Sequence, residues 1–235
     1  MKGLGFARRA RRAQPATDHP ELTPQSVDAE RAGGAGGGLS ARLAARGGEQ
    51  VDLVGAELAA AQFLQALGMD LSSPGTLDTP RRMAAAYAEL FSAEAVTLTT
   101  FPNDEHYDEL VLAHSIPFRS VCEHHLLPFT GVAHVGYLPG PRLVGLSKLA
   151  RVVEAMAAGP QLQERLTCQI ADLLEAQLSP RGVGVVMDAE HLCMSLRGVR
   201  AHSSRTRTSA LKGSVRSDAR TRAEFLQLVA TTSAS

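Results

Sequence analysis

Tryptophan is absent from this 235-residue sequence, and aromatic residues make up only 4% of it. No apolar run approaches the roughly 20 residues that a membrane-spanning helix needs. Net charge is missing too, since 24 Lys and Arg balance 24 Asp and Glu. A neutral chain gives no reason to expect nucleic acid or an anionic membrane as a partner. We therefore expect no nucleic acid and no membrane among its partners.

Cysteine is also scarce, with Cys122, Cys168 and Cys193 as the only three. An odd number of cysteines does not suit a disulfide framework, and the basic start of the chain lacks the apolar core of a secretory signal. We therefore expect a cytoplasmic protein whose cysteines serve a metal or a reaction. Cys168 falls opposite the leucine stripe of a predicted helix, so we expect it to be a surface thiol without a role.

Composition divides the chain into three parts. Residues 1–48 are rich in Gly, Ala and Arg without an apolar period, which is typical of a flexible leader. Residues 49–95 have helical periodicity and form a predicted N-terminal helical segment. Residues 96–235 contain both helical and strand patterns, and we expect them to form the main domain.

The order of predicted elements indicates the fold class. Apolar spacing and turn residues predict helices over residues 51–67, 79–90, 147–157, 160–178 and 218–230, and strands over residues 109–118, 131–138, 182–189 and 206–213. Strands that follow one another in pairs, with helices between the pairs, favour an α+β domain. Its antiparallel sheet would be covered by helices on one face.

Two short motifs supply metal-binding residue types. The first is Cys122-x-x-His125, within the run CEHHLLPF, and the second is His191-x-Cys193, after the apolar run GVGVV. Thiolate and imidazole are the donors that zinc favours, and both spacings bring two donors to one side of the chain. Because adjacent side chains point in different directions, His124 cannot share the direction of His125. One of these two histidines is therefore available for another task.

Spacing alone leaves several interpretations of these residues open. A closed site with two cysteines and two histidines would be structural, whereas three ligands and an open position would be catalytic. The surplus imidazole favours the catalytic site. A third interpretation treats the same residues as buried structural side chains without a metal.

Residues 140–148 nearly match a phosphate-binding loop, but two residues separate Gly145 from Lys148 and Pro141 removes a backbone donor. Ser147 and Lys148 nevertheless begin a predicted helix, where free N–H groups favour an anion. Arg151, one turn on, and Arg197 near Cys193 would serve the same anion. Glu164 lies in the first turn of the 160–178 helix, where its carboxylate either only complements the helix dipole or accepts the paired N–H donors of a guanine ring.

Together these stretches resemble the GTP cyclohydrolase I family. The resemblance extends from Leu53 to Val229 and rests on motifs in the same order: TPRRMAAAY, CEHHLLPF, GYLPG-x-x-L-V-GLSKLAR, QLQERLT, GVGVV, EHLCMSLRGV and SDARTRAEFL. It implies conversion of GTP to formate and 7,8-dihydroneopterin triphosphate, the entry to folate and other pterins. It also implies the tunnelling fold, in which α+β subunits join their sheets into a barrel. The assembly would be a homodecamer with active sites at subunit boundaries.

The resemblance assigns roles to individual residues. It implies zinc as the cofactor, with Cys122, His125 and Cys193 as ligands, and proton transfer by His124 and His191. It further implies guanine recognition by Gln163 and Glu164, a ribose contact from Ser147, triphosphate contacts from Lys148, Arg151 and Arg197, and a contact from Arg82 to a neighbouring subunit's triphosphate. The spacing argument leaves His191 open as a fourth ligand.

The sequence departs from the family pattern at two places. Ala85 stands where many bacterial relatives have a basic residue, and Ala158-Gly159 stands where paired arginines are common. These changes bear on GTP affinity and subunit contacts more than on the reaction. Two alternatives remain: an enzyme of the same fold acting on another nucleotide, and a non-catalytic family member that binds GTP or a pterin.

Overall fold

The computed structural model describes residues 51–231 of the chain. The predicted leader, residues 1–48, lies outside the described residues. The helices are α1 (Leu53–Ala66), α2 (Thr79–Phe91), α3 (Leu146–Ala157), α4 (Gln163–Leu178), α5 (Leu192–Ser195), α6 (Gly213–Ser217) and α7 (Ala219–Thr231). The strands are β1 (Thr100–Pro102), β2 (Val111–Cys122), β3 (Pro128–Leu138), β4 (Arg142–Val144), β5 (Pro160–Gln161), β6 (Gly182–His191) and β7 (Arg205–Lys212).

Five strands form the main sheet in the order β5-β2-β3-β6-β7, and β1 pairs separately with β4. Every pairing in the main sheet is antiparallel except the short parallel contact between β2 and β5. Strands β3 and β6 are in register from Phe129 opposite His191 to Leu138 opposite Gly182. This register places the end of β6 beside the start of β3, next to the turn that follows β2.

Helices α3 and α4 cover one face of the sheet with a continuous apolar core. Alternate strand residues such as Val135, Val185 and Met187 point into this core, and the leucine stripe of α4 meets them there. Burial of such stripes is the main term that stabilises the layer. The predicted α+β class with an antiparallel sheet is therefore confirmed. Among the helices of residues 51–231, none combines the length and apolar character that a membrane crossing requires.

A second, smaller apolar cluster includes strand residues that alternate with those of the main core. Val186 packs there with Val215 of α6 and with Phe225 and Val229 of α7. The sequence predicted the closing helix α7, but not that it packs outside the core formed by the sheet with α3 and α4. The reason is that α7 has only two buried residues, Phe225 and Val229. So short an apolar stripe does not indicate which face of the sheet the helix covers.

Some predicted boundaries are wrong. The strand expected over residues 109–118 continues to Cys122 as β2, and the strand expected from residue 131 begins at Pro128 as β3. The long helix was expected to begin at residue 160, but Pro160 and Gln161 form β5 and the helix begins at Gln163. Gly159 adopts a φ of +77°, and Leu162 is extended with a φ of −100° and a ψ of 133°. This backbone path turns the chain along the end of β2 before the helix starts, which brings β5 into contact with Cys122.

Helix α1 packs against α2 rather than against the sheet. Only Ala60 of α1 is buried, whereas Val54, Leu58, Phe63 and Leu67 are 71%, 62%, 55% and 70% exposed. The predicted apolar stripe is therefore present, but residues 51–231 leave it largely exposed. Exposed apolar side chains at this density are typical of a surface that meets another protein.

Gly184→Ala tests the packing of α7 on the sheet. A Cβ at Gly184 would lie 2.6 Å from the Phe225 ring, so the ring must move. We expect a loss of about 1–3 kcal/mol, the usual cost of overpacking a core, seen as a lower thermal midpoint at matched protein concentration. Gly75→Ala is the control, because its nearest neighbour is 4.0 Å away. An unchanged midpoint for Gly184→Ala would contradict this packing.

Candidate metal centre and active site

The first half of the site is a tight turn at the end of β2. The Cys122 N–H donates to the Leu127 carbonyl at 2.9 Å, and the Leu126 N–H donates to the Cys122 carbonyl at 2.8 Å. Leu126 has a φ of +52°, and the hydroxyl of Tyr87 on α2 donates to its carbonyl at 3.0 Å. We call residues 122–127 the ligand turn. It buries Cys122 and leaves the two histidines exposed.

The second half lies where β6 passes into α5. His191 is the last residue of β6, and Cys193 is buried in the first turn of α5. The His191 ring stacks on Phe129 of β3, with centroids 4.5 Å apart and planes 3° from parallel. Strand pairing places these two residues directly opposite each other, so the stack follows from the register.

A buried amide orients the His191 ring further. The Gln163 side-chain nitrogen lies 2.9 Å from the Thr206 carbonyl, 3.2 Å from the Met187 carbonyl and 3.1 Å from the Thr208 hydroxyl. These acceptors fix the orientation of the amide, so its oxygen, 2.7 Å from His191 Nε2, accepts a hydrogen bond from the imidazole. In the neutral ring, Nδ1 is then the nitrogen with a free lone pair.

The two halves meet. Ligand atoms of Cys122, His191 and Cys193 all lie within 4.8 Å of one another. His125 Nδ1 lies 3.8 Å from Cys122 Sγ, but His125 is not among the three residues whose ligand atoms converge. Sulfur and nitrogen ligands of one tetrahedral zinc ion, bound at about 2.3 and 2.0 Å, are roughly 3.5 Å apart. The donor types and separations therefore fit a zinc ion.

The charges at this point also favour a cation. Burial raises the pKa of the Cys193 thiol, and the neighbouring Cys122 acts in the same direction, while Arg197 opposes them. Two thiolates side by side repel each other, and a metal cation between them removes that repulsion. Burial lowers the pKa of His191, and the carboxylate of Glu164 acts in the opposite direction.

His124 and His125 point in different directions. Their ring centroids are 6.2 Å apart and their planes lie at 83°. The geometry agrees with the argument from adjacency, in which only one of the two faces the sulfur of Cys122. The division of roles between them stays a prediction.

The start of α4 carries the two residues expected to recognise guanine. Glu164 is exposed and near enough to His191 to affect its pKa. Gln163 is buried, and its amide is fully engaged with His191 and with β6 and β7. The described contacts of Gln163 are thus structural, and its contact with guanine stays a prediction.

The residues predicted to bind triphosphate are separated in the single chain. Lys148 and Arg151 line a cavity of about 800 Å³ between α3, β2 and the segment after α2, together with Arg119, Glu94 and Glu154. The walls of this cavity include none of the ligand-turn residues. Ser147 is exposed at the start of α3.

The two remaining predicted arginines lie elsewhere. Arg197 is exposed, and its charge acts on the Cys193 thiol. Arg82 is exposed on α2 and forms an ion pair with Asp78 at 3.4 Å. Among the basic residues predicted to bind triphosphate, only Arg197 acts on a described residue of the metal cluster.

Several contacts around the cluster were not predicted from the sequence. They are the Phe129–His191 stack, the Gln163–His191 hydrogen bond and the ion pair of Glu123 with Arg165. Their partners are far apart in sequence and belong to no motif spacing, so only the register of the sheet and the path of β5 bring them together.

Comparison with known proteins identifies the family of this chain. The sequence model described as GTP cyclohydrolase I matches residues 56–230. A protein named GTP cyclohydrolase 1 from Mycobacteroides abscessus is 52% identical over 189 residues, which cover 77% of this chain and 92% of the relative. A protein of the same name from Mycobacterium ulcerans is 50% identical over 81% of this chain and 97% of its own length. Another from a Hydrogenobaculum species is 48% identical over 71% and 92%. The chain belongs to the GTP cyclohydrolase I family.

Proposed function

We propose that this protein is a zinc-dependent GTP cyclohydrolase I. It hydrolyses GTP at C8 of the purine, releases formate and rearranges the remainder to 7,8-dihydroneopterin triphosphate, the first step of tetrahydrofolate and pterin biosynthesis. The observation that carries the proposal is the convergence of Cys122, His191 and Cys193 within 4.8 Å. Glu164 is exposed and near enough to His191 to affect its pKa, and its carboxylate would recognise guanine.

Zinc would be held by Cys122, Cys193 and His125. The position of His125 Nδ1, 3.8 Å from Cys122 Sγ, supports this set. Zinc, when bound, supplies Lewis acidity that activates water for attack on the poorly electrophilic C8. His191 lies at the same point but is held by Gln163 and Phe129, which suits a group that exchanges protons in a fixed orientation.

The two remaining histidines would move protons. In its imidazolium form, His191 would give the Nδ1 proton to N7 of guanine while its Nε2–H stays on the Gln163 oxygen, and protonation of N7 makes C8 more electrophilic. His124 assists opening of the ribose ring and the later rearrangement, and its exposure leaves it accessible to substrate. Imidazole suits both tasks because its ordinary pKa is near neutrality.

Substrate contacts would come from several elements. Glu164 accepts the paired N–H donors of guanine, with Gln163 beside it, and Ser147 contacts the ribose. Lys148, Arg151 and Arg197 neutralise the triphosphate. Arg82 would reach the triphosphate bound by a neighbouring subunit.

A complete site would need more than one chain. Lys148 and Arg151 line a cavity that contains no ligand-turn residue, so a neighbouring copy is the simplest source of the triphosphate contacts. The exposed apolar side chains of α1 also support assembly. We therefore propose a homo-oligomer, a decamer with active sites at subunit boundaries, in which sheets join into a barrel.

The remaining organisation follows from the sequence. Residues 49–95 would form the N-terminal helical segment and residues 96–235 the catalytic domain, after the leader. Three free cysteines, two of them in the metal cluster, suit a reducing cytoplasm, where we place the protein.

The proposal is tested by incubating zinc-loaded protein with GTP, oxidising the mixture with iodine, and measuring fluorescent neopterin triphosphate alongside formate. We expect both products in equal amounts. Absence of both from folded, zinc-bound protein would overturn the proposal in favour of a non-catalytic binding protein. Preferential turnover of another nucleotide would instead indicate an enzyme of different substrate specificity.

His124→Ala separates catalysis from binding. We expect zinc content and nucleotide binding to stay unchanged, because His124 is not among the residues whose ligand atoms converge. Turnover should fall by about 100-fold, the lower end of what one proton-transfer group contributes. Zinc analysis, equilibrium binding of GTP and steady-state kinetics measure the three effects. Wild-type turnover in this variant would remove His124 from the mechanism.

A further inference from the structure

Arg165 lies in the first turns of α4 and contacts three groups outside the helix. Its Nη2 forms an ion pair with Oε2 of Glu123, and its Nε donates to the Gln161 side-chain oxygen at 3.1 Å. Nη2 also lies 3.5 Å from the Pro160 carbonyl. The guanidinium therefore joins the ligand turn, β5 and α4 at one point.

Glu123 lies inside the ligand turn, between Cys122 and His124. Its backbone N–H donates to the Gln161 carbonyl at 3.2 Å, so both its main chain and its side chain are attached to the segment that Arg165 holds. Gln161 is itself fixed, because its amide nitrogen donates to the Met156 carbonyl at 2.8 Å and to Gln169 at 3.2 Å. The ligand turn is thus tied to a rigid support.

The same helical turn also holds the other half of the cluster. Gln163, two residues before Arg165, accepts the hydrogen bond from His191 at the end of β6. One end of α4 therefore contacts both the Cys122-x-x-His125 half and the His191-x-Cys193 half. Glu164 lies between these two attachments and is exposed.

We infer that Arg165 is a positioning residue that, through Glu123, fixes the ligand turn relative to His191 and Cys193. The inference rests on the proposed zinc-dependent function. Arg165 touches neither the metal-binding atoms nor, by its described contacts, the substrate-recognition carboxylate. Its effect is to keep Cys122, His124 and His125 in one arrangement before metal and substrate arrive.

The chemistry of the guanidinium suits this task. Its planar fork makes two directed, charge-assisted contacts at once, one to Glu123 and one to Gln161, which a lysine ammonium cannot reproduce in the same geometry. Groups that orient metal ligands in this indirect way typically change metal affinity or activity by 10- to 100-fold when removed. A surface ion pair without a positioning role would add little to the free energy of unfolding, and its removal would leave zinc affinity and kcat unchanged.

The test uses full-length Arg165→Gln, Arg165→Lys and Glu123→Gln, with Asp172→Asn as the matched control. Asp172 is also on α4 and forms an ion pair with Lys212 at 2.6 Å, but this pair lies toward the other end of the helix. For each protein we would measure zinc affinity by competition with a chromogenic chelator, kcat and KM for GTP, and the thermal midpoint.

We expect Arg165→Gln and Glu123→Gln to weaken zinc binding by about 10-fold and to lower kcat more than they change KM. Arg165→Lys should recover part of both losses, because it restores a charge opposite Glu123 but not the contact to Gln161. Asp172→Asn should behave like the wild type in zinc affinity and kcat.

Wild-type zinc affinity and kcat in Arg165→Gln and Glu123→Gln would overturn the inference, whether or not the thermal midpoint falls. If Arg165→Gln does not fold, the partly exposed Glu123→Gln decides the matter by the same two readouts. A wild-type protein that binds no zinc or forms no product from GTP would instead overturn the proposed function. The wild-type assay is therefore performed first.

Discussion

Cys193→Ala is expected to contain almost no zinc and to turn over GTP at least about 1,000-fold more slowly than the wild type. Cys193 is buried in α5 and shares the cluster with Cys122 and His191. Removing one thiolate from the proposed site with three protein ligands would leave too few donors to hold the ion. Without the metal, water at C8 has no activation, and the remaining histidines cannot supply it.

Zinc per chain, determined by elemental analysis after gel filtration, and formate release measure this result. Cys168→Ala is the matched control, because Cys168 is an exposed cysteine on α4 outside the cluster. It should keep full zinc content and turnover. Full zinc content in Cys193→Ala would show that the metal lies elsewhere, and full turnover would show that the reaction does not need this site.

Local sequence was sufficient to predict part of the site. The apolar run before His191 made β6 evident, but Cys193, expected to face the same side as His191 by strand spacing, lies in α5, which was not predicted. Cys122 and His125 were recognisable because a three-residue spacing suits one turn. These features depend on neighbours in sequence, which is the information that a pattern contains.

The support of the site could not be predicted in the same way. Pro160 was expected to open a helix, since proline is common in a first turn, but it pairs with β2 instead. Arg165 and Gln163 looked like ordinary first-turn residues, and their partners Glu123 and His191 are 42 and 28 residues away. Such contacts depend on strand register and on the path of one short connection.

Assembly poses a related difficulty. The exposed apolar residues of α1 obey the periodicity of a buried helix, yet the part of the chain that the structure describes does not cover them. Periodicity reports that a surface is apolar but not which molecule covers it. The same is true of Lys148 and Arg151, whose cavity is separate from the metal cluster within one chain.

His125→Ala and His191→Ala are expected to fail in different ways. If His125 is the third zinc ligand, His125→Ala loses the ion and about 1,000-fold or more of turnover. His191→Ala then keeps its zinc but also loses about 1,000-fold of turnover, because N7 of guanine is no longer protonated. The measurements are zinc per chain, formate release and GTP affinity of both variants.

The structure makes this pair of variants decisive, because both imidazoles lie close to the sulfur atoms. His191 belongs to the group within 4.8 Å, and His125 Nδ1 is 3.8 Å from Cys122 Sγ. Zinc loss in His191→Ala with zinc retained in His125→Ala would exchange the two roles. Zinc loss in both would indicate a closed site with four protein ligands, which leaves no position for water and contradicts the proposed mechanism.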